Sequence, residues 1–167
     1  GLTTTQIGGL NATDANEFTA TQIGALASTQ LAALSATNLS ALDATQVGGL
    51  TTTQVAGLSV TQVRGLTATD IGELSTTQLG ALTSTQIGNL TPTSFSALDA
   101  TTVATLTTTQ LRGLTTTQIG GLSATDVNEF TSTQIGALAT TQLGALATTQ
   151  VTAMPLGDAL AFREDLD

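Results

Sequence analysis

The chain has 167 residues, of which only 2% are aromatic, and a formal net charge of −9 from twelve acidic residues and three arginines. It contains no His, Cys, Lys, Tyr or Trp, which excludes disulfides, a Ser/His/Asp or Cys/His catalytic centre and a zinc site of the usual ligands. The acidic balance argues against nucleic-acid binding, and no apolar run is long enough to span a membrane, so we expect neither nucleic acid nor membrane insertion.

A single octad fills almost the whole chain. Gly1 and Leu2 correspond to its last two positions, so we expect this chain to be a piece of a longer protein. From Thr3 to Met154 the octad recurs nineteen times without insertion or deletion. Position three is always Thr, position four is Gln in thirteen copies and Asp in three, position five is Ile, Val or Leu in seventeen, and position eight is Leu in sixteen. So strict a period predicts a repeat array.

The octad has the signals of a short capped helix. Position one is Thr, Ser, Asn or Asp in sixteen copies, the residue set of a helix N-cap, and the Gln or Asp three residues later completes a capping box. The apolar residues at positions eight and five stand where a hydrophobic staple has them. Pro92 falls at the first helical position, which tolerates proline, and Gly at positions six and seven suits a helix end. We therefore predict an all-α solenoid with one very short helix per octad.

A β-solenoid with two octads per coil is the alternative fold. Eight is an even period and Thr is a good strand residue. Against it, the large apolar positions are spaced three and five apart, which breaks strict alternation, and Pro92 would lie inside a strand.

Burial must come from positions five and eight, because few aromatic residues are available. At roughly 1.5–3 kcal/mol for each buried aliphatic side chain, a stack of octads can be stable although one octad cannot. Capping does not explain the invariant Thr at position three, so we expect it to pack or to form hydrogen bonds between layers.

A longer period of seven octads lies within the octad period. Asp replaces Gln once in every seven octads, at Asp14, Asp70 and Asp126, and a Glu follows three residues later each time. This period divides the repeat domain, residues 1–154, into seven-octad units at 3–58 and 59–114 and an incomplete unit at 115–154. It is explained by recent duplication, by seven octads making a whole number of superhelical turns, or by both. Residues 155–167 contain no Thr and concentrate charge, so we expect a C-terminal cap or a linker.

Carboxylates are the only groups left that could carry chemistry, and we expect the chain not to be an enzyme and to need no cofactor. The acidic pairs could at most contribute to weak calcium sites, since calcium takes six to eight oxygen ligands. The candidate residues are Asp14, Glu17, Asp70, Glu73, Asp126 and Glu129.

Rows of Thr at positions one and three, such as Thr3 with Thr5 and Thr51 with Thr53, suggest a second function. On a β-solenoid they would form an array of methyls and hydroxyls similar to those of ice-binding β-solenoids. Asn, Asp and Ala at position one interrupt the array in several copies. Exposed Thr could also carry O-linked sugar.

The segment Leu-Thr-Thr-Thr-Gln-Ile-Gly-Gly-Leu, residues 2–10, and its copies resemble the octapeptide arrays of very large secreted or surface proteins of bacteria, some of them adhesin-like or hemolysin-type. The resemblance covers residues 3–154. It implies an extracellular or cell-surface stalk, spacer, adhesin or filament segment. We therefore expect a non-enzymatic structural protein that self-associates end to end or laterally, with a surface-binding module for glycan or ice as the alternative.

Overall fold

The computed structural model describes residues 1–154; residues 155–167, and with them the expected cap or linker, lie outside the described residues. Within residues 1–154 the chain forms nineteen α-helices of four to six residues, one in each octad, and no strand. The prediction of an all-α repeat solenoid is confirmed, and the β-solenoid is not formed in this part of the chain.

The helices are α1 (Thr4–Gly8), α2 (Ala12–Asn16), α3 (Ala20–Gly24), α4 (Ser28–Leu31), α5 (Ala36–Ser40), α6 (Ala44–Gly48), α7 (Thr52–Ala56), α8 (Val60–Gly65), α9 (Ala68–Glu73), α10 (Thr76–Gly80), α11 (Ser84–Ile87), α12 (Pro92–Phe95), α13 (Ala100–Thr105), α14 (Thr108–Leu111), α15 (Thr116–Gly121), α16 (Ala124–Asn128), α17 (Ser132–Ile135), α18 (Thr140–Leu143) and α19 (Thr148–Ala153).

Capping starts each helix as the sequence predicts. In α15 the Thr115 hydroxyl accepts a hydrogen bond from the Gln118 backbone N–H at 3.2 Å, and Gln118 Oε1 accepts one from the Thr115 N–H at 2.8 Å. Where position one is alanine, as at Ala139, only the second bond remains, from its N–H to Gln142 Oε1 at 2.8 Å. Pro92 occupies the first position of α12, also as predicted.

Glycine lies at many helix ends, as the sequence predicts, but these glycines are not in the left-handed conformation. No residue between 1 and 154 has a positive φ, glycine or otherwise. Gly57, for example, ends α7 at φ −86° and ψ −2°. The helix stops because the next residue, at position eight, turns inward and leads into the extended N-cap of the following octad.

The helices pack against the helix three places further along the chain, from α1 on α4 and α2 on α5 to α16 on α19. Side-chain hydrogen bonds between these layers join residues 25 to 31 positions apart. The separation that recurs most often is three and a half octads, as between Gln54 and Leu26. The chain is therefore a superhelix with three and a half octads per turn, and the seven-octad period of the sequence corresponds to two turns.

The core of this superhelix is a continuous column of position-five and position-eight side chains. Position five is buried in every octad from Ile7 to Leu143, and position eight in every octad from Leu34 to Leu138. The two phenylalanines Phe95 and Phe130 stack within the column, with ring centroids 6.4 Å apart. Each turn therefore buries its apolar side chains against the turn before and the turn after, and no octad has a core of its own.

Glycine allows consecutive turns to approach closely. A Cβ on Gly24 would lie 2.6 Å from the carbonyl oxygen of Gly49, and a Cβ on Gly65 would lie 2.7 Å from the Ala36 side chain. Both distances are shorter than side-chain carbons adopt. Glycines such as Gly24 and Gly65 therefore serve the contact between turns in addition to standing at helix ends, as the sequence predicts.

Candidate functional site

The position-four glutamines from Gln46 onward form a column of buried side chains that joins the turns, which we call the amide ladder. In Gln54, Nε2 donates to the carbonyls of Ile23 and Leu26 in the previous turn, both at 2.8 Å. Its Oε1 meanwhile accepts from the N–H of Thr51 in its own octad. Ten glutamines make both inter-turn bonds: Gln46, Gln54, Gln62, Gln78, Gln86, Gln110, Gln118, Gln134, Gln142 and Gln150.

At two of the octads where glutamine is absent, a shorter side chain keeps part of the ladder. Asn38 Nδ2 donates to the Leu10 carbonyl at 2.6 Å, and Ser94 Oγ donates to the Leu66 carbonyl at 2.8 Å. Both acceptors lie three and a half octads earlier, as for glutamine. The sequence indicated only the capping role of position four, since nothing in one octad shows which distant carbonyl the superhelix brings to it.

Carboxylates lie in a line along one side of the superhelix, which we call the acidic ridge. Its members in residues 1–154 are Asp14, Glu17, Asp43, Asp70, Glu73, Asp99, Asp126 and Glu129. Each is separated by roughly one turn of chain from another member. Arg64 and Arg112 are displaced from this line by a fifth of a turn or more, as their positions within the turn show. The described superhelix is therefore charged unevenly around its axis.

Partial burial and neighbouring carboxylates raise the pKa of two ridge glutamates. The pKa of Glu73 is raised from 4.5, first by partial burial and then by the negative charges of Asp70 and Asp43. Glu73 Oε2 is buried and has no hydrogen-bond partner. The pKa of Glu129 is raised in the same way, by partial burial and then by Asp126 and Asp99. Both glutamates therefore hold their protons more tightly in the folded chain than in the unfolded one.

The aspartates of the ridge use their oxygens for helix capping. Asp70 Oδ2 accepts from the Thr67 N–H at 2.7 Å and from the Ser40 hydroxyl of the previous turn at 2.5 Å. The N–H of Thr102 donates to Asp99 and lowers its pKa. The sequence alone does not predict the contribution of Ser40, although Ser96 precedes Asp126 by the same interval.

The calcium candidates lie together only as pairs. Asp14 lies near Glu17, and the copies Asp70 with Glu73 and Asp126 with Glu129 repeat this arrangement two and four turns away. Among residues 1–154, no group of three or more acidic side chains is arranged to hold a metal ion. Weak calcium binding by these pairs stays a prediction.

The invariant threonines at position three form an exposed belt around the superhelix. All nineteen, from Thr5 to Thr149, are exposed, and within residues 1–154 none of their hydroxyls forms a hydrogen bond with the protein. The expectation that they pack or bond between layers is wrong, because position three points away from the neighbouring turn. Successive members are two-sevenths of a turn apart, so the threonine belt winds around all sides of the superhelix.

The surface has shallow depressions. One of about 350 Å³ is lined by Leu10, Asp14, Glu17, Phe18 and Gln22. Another, of about 320 Å³, lies beside Arg64, where Nε donates to Asn89 Oδ1 at 2.9 Å. None of the helices in residues 1–154 is both long and apolar enough to cross a membrane.

These features define a class, the helical-repeat solenoids, in which short units stack into a continuous core. Comparison with known families agrees: the model of the ALTTAQ repeat matches residues 23–60 and 60–92. The match identifies consecutive repeats and so supports a structural repeat protein. It carries no adhesin-like or hemolysin-type assignment. No curated protein matches the chain.

Proposed function

We propose that the chain is a non-enzymatic structural array that acts as an extracellular stalk or spacer. The observation that carries this proposal is the continuity of the turn-to-turn interface. Each turn is attached to the one before by the same apolar column and the same amide ladder, so an array of this kind can be extended without a new core. Repetition of one interface along an axis sets a distance, which is what a spacer must do.

The surface supports the same proposal. Its depressions are open, and its carboxylates are spread along a ridge instead of converging on one point. The net charge of −9 favours a hydrated, separate rod over non-specific association with other acidic macromolecules. We place it at the cell surface or outside the cell on the sequence resemblance and on its lack of Cys and Lys.

Small-angle X-ray scattering tests the spacer role. We would compare the chain with a variant that carries residues 59–114 twice in tandem. The maximum dimension should rise in proportion to the added residues, while the cross-sectional radius stays constant. A cross-section that grows with length would contradict the proposal, since it would mean that the added turns fold back on the rest.

Location and self-association need separate experiments. Protease treatment of intact cells of the source organism should degrade the chain if it lies outside the cell; protection in intact cells and degradation after lysis would contradict the extracellular placement.

Electron microscopy at high protein concentration tests the filament version, because a head-to-tail contact that does not close forms an open fibre. Short single rods alone would leave the spacer and exclude the filament.

The second candidate is a binding module, and the threonine belt is the observation that favours it. A glycan array would detect a carbohydrate ligand. Thermal hysteresis would detect ice binding, although a belt that winds around the superhelix presents no flat array on one side. We therefore expect no thermal hysteresis.

A further inference from the structure

The threonine belt has an unusual pattern of constraint. Positions five and eight, which form the core, accept between them Ile, Val, Leu, Phe, Met and Ala. Position one, whose hydroxyl caps the helix, accepts Thr, Ser, Asn, Asp and Ala. Position three, which is exposed and makes no hydrogen bond through its side chain, accepts only Thr in nineteen copies. The constraint is strongest where the fold uses the side chain least.

Helix formation and helix capping do not explain why position three is always Thr. Thr has a lower helix propensity than Ala, so position three would favour Ala if helix formation decided it. Capping is done by position one: the Thr115 hydroxyl donates to Gln118 Oε1 at 3.0 Å and accepts from the Gln118 N–H, whereas Thr117 in the same octad does neither. The hydroxyl of Thr117 is left available to solvent.

The distribution of the belt indicates what could use these hydroxyls. Because successive threonines are two-sevenths of a turn apart, they follow seven lines around the axis and no single side collects them. A large ligand bound to one face would contact only some of the nineteen. A small group attached once per octad would use all of them equally.

We propose that the position-three threonines, Thr5 to Thr149, are acceptor sites for O-linked sugar. The Oγ1 atom attacks the anomeric carbon of a nucleotide-activated sugar, bound by a separate glycosyltransferase. The new bond joins Oγ1 to that carbon, the bond from the carbon to the nucleotide phosphate breaks, the nucleotide leaves, and the hydroxyl proton passes to a base of the transferase. No electrons are gained or lost. This inference does not depend on the spacer role.

A sugar fits the electrostatics of the surface better than a phosphate does. Thr69 and Thr125 directly precede Asp70 and Asp126 of the acidic ridge. Phosphate would add roughly −1.5 to −2 charges at each site, beside aspartates that already repel the glutamate three residues later. A neutral sugar adds hydration without charge.

Mass spectrometry of the protein purified from its source organism tests the proposal. The intact mass should exceed that of the sequence by whole numbers of sugar residues. Fragmentation that preserves side-chain modifications should place them at position three, with position-one threonines such as Thr19, Thr51 and Thr115 unmodified. These capping threonines serve as an internal control because they are also exposed but have bonded hydroxyls.

Two variants expressed in the same organism sharpen the result. Thr117→Ala should lose the sugar of its octad and keep the others, since its side chain contacts no neighbouring turn through a hydrogen bond. Thr115→Ser keeps the cap and should leave the mass increments unchanged. An intact mass equal to that of the sequence, phosphate increments, or sugar at Thr115 as often as at Thr117 would each overturn the inference.

Discussion

The side-chain amide of each ladder glutamine forms hydrogen bonds both within its own octad and to the previous turn. A single glutamine therefore contributes to stability in two ways. The Oε1 atom completes the capping box of its own helix, while Nε2 satisfies carbonyls of the previous turn. A net intramolecular hydrogen bond contributes about 1 kcal/mol, but a buried carbonyl left without its donor costs about 1–3 kcal/mol. Stability therefore depends on the ladder more than the number of its bonds suggests.

Gln118→Ala should lower the free energy of unfolding by about 2–3 kcal/mol, because the carbonyls of Ile87 and Leu90 lose their Gln118 donor and the capping box is halved. Gln22→Ala is the matched control. Gln22 makes only the capping bonds with Thr19, so its loss should stay below about 1 kcal/mol. Urea unfolding followed by circular dichroism measures both, and equal losses would show that the inter-turn bonds contribute nothing.

The ridge glutamates give the chain a pH dependence with a defined sign. Because the folded chain raises the pKa of Glu73 above its unfolded value of about 4.5, the folded state binds its proton more tightly. The contribution of Glu73 to stability therefore falls as the pH rises from about 4.5 through the raised pKa.

Glu73→Gln should raise the urea midpoint at pH 7 and should reduce the fall in stability as the pH rises above about 4.5, since it removes a charge that partial burial, Asp70 and Asp43 all disfavour. Glu17→Gln is the control, because Glu17 belongs to the first turn and is exposed. Urea midpoints of both variants, measured over the same pH series, show whether the two substitutions differ in their effect. If Glu17→Gln changes the profile as much as Glu73→Gln does, the facing carboxylates of the previous turn are not the cause.

At the scale of the helices, the close contact between successive turns explains where glycine is needed and where it is only tolerated. A Cβ on Gly113 would meet the backbone of Ser84, which cannot move without shifting the earlier turn. A Cβ on Gly72, inside α9, would meet nothing within 4 Å. The two positions carry the same residue for different reasons.

Gly113→Ala should therefore destabilise the chain by about 1–3 kcal/mol, the usual range for overpacking. Gly72→Ala should stabilise it by up to about 1 kcal/mol, because alanine has the higher helix propensity and the position is open. Thermal and urea unfolding of the two variants should shift in opposite directions. A loss of stability for both would mean that glycine is required for chain flexibility instead of for contact.

The helices themselves could be predicted from the sequence because their signals are local. The capping box of Thr115 and Gln118, the position of Pro92 and the apolar residues at positions five and eight lie within a few residues of each other. The second use of Gln118 could not be predicted, since it depends on carbonyls of the previous turn. The invariance of Thr117 is visible in the sequence, but its exposure is not, because one octad does not show on which side the next turn packs.

For the whole molecule, the relation between the octad and the turn is the governing quantity. A turn contains three and a half octads, so each octad lies over the junction between two octads of the turn below. An octad is aligned with another octad only two turns away. The acidic ridge depends on this relation. The seven-octad period is the one feature of the sequence that points to it, and the division into units at 3–58, 59–114 and 115–154 stays a prediction because the core runs through them without a break.

Two deletions should distinguish the effect of removing one octad from the effect of removing a whole two-turn unit of seven octads. Removing residues 59–114 should leave the pKa of Glu129 raised, because Asp43 then stands where Asp99 stood, at the same separation along the chain. Removing only residues 107–114 brings Asp99 one octad closer to Glu129 along the chain and out of register with it, so the pKa of Glu129 should fall by the part that Asp99 contributes, while partial burial and Asp126 keep it above its ordinary value. Titration of the Glu129 carboxyl by nuclear magnetic resonance measures both. A Glu129 pKa as high in the second deletion as in the first would show that the facing carboxylate of the previous turn does not contribute to the shift.

The half-octad offset between turns also bears on how such a gene can change in length. A crossover that adds or removes a single octad rotates everything beyond it relative to everything before it, so surface features on the two sides no longer match. A crossover between copies seven octads apart restores both the contacts and the orientation. Alleles that differ by whole multiples of seven octads should therefore be tolerated, whereas alleles that differ by one octad should be rare.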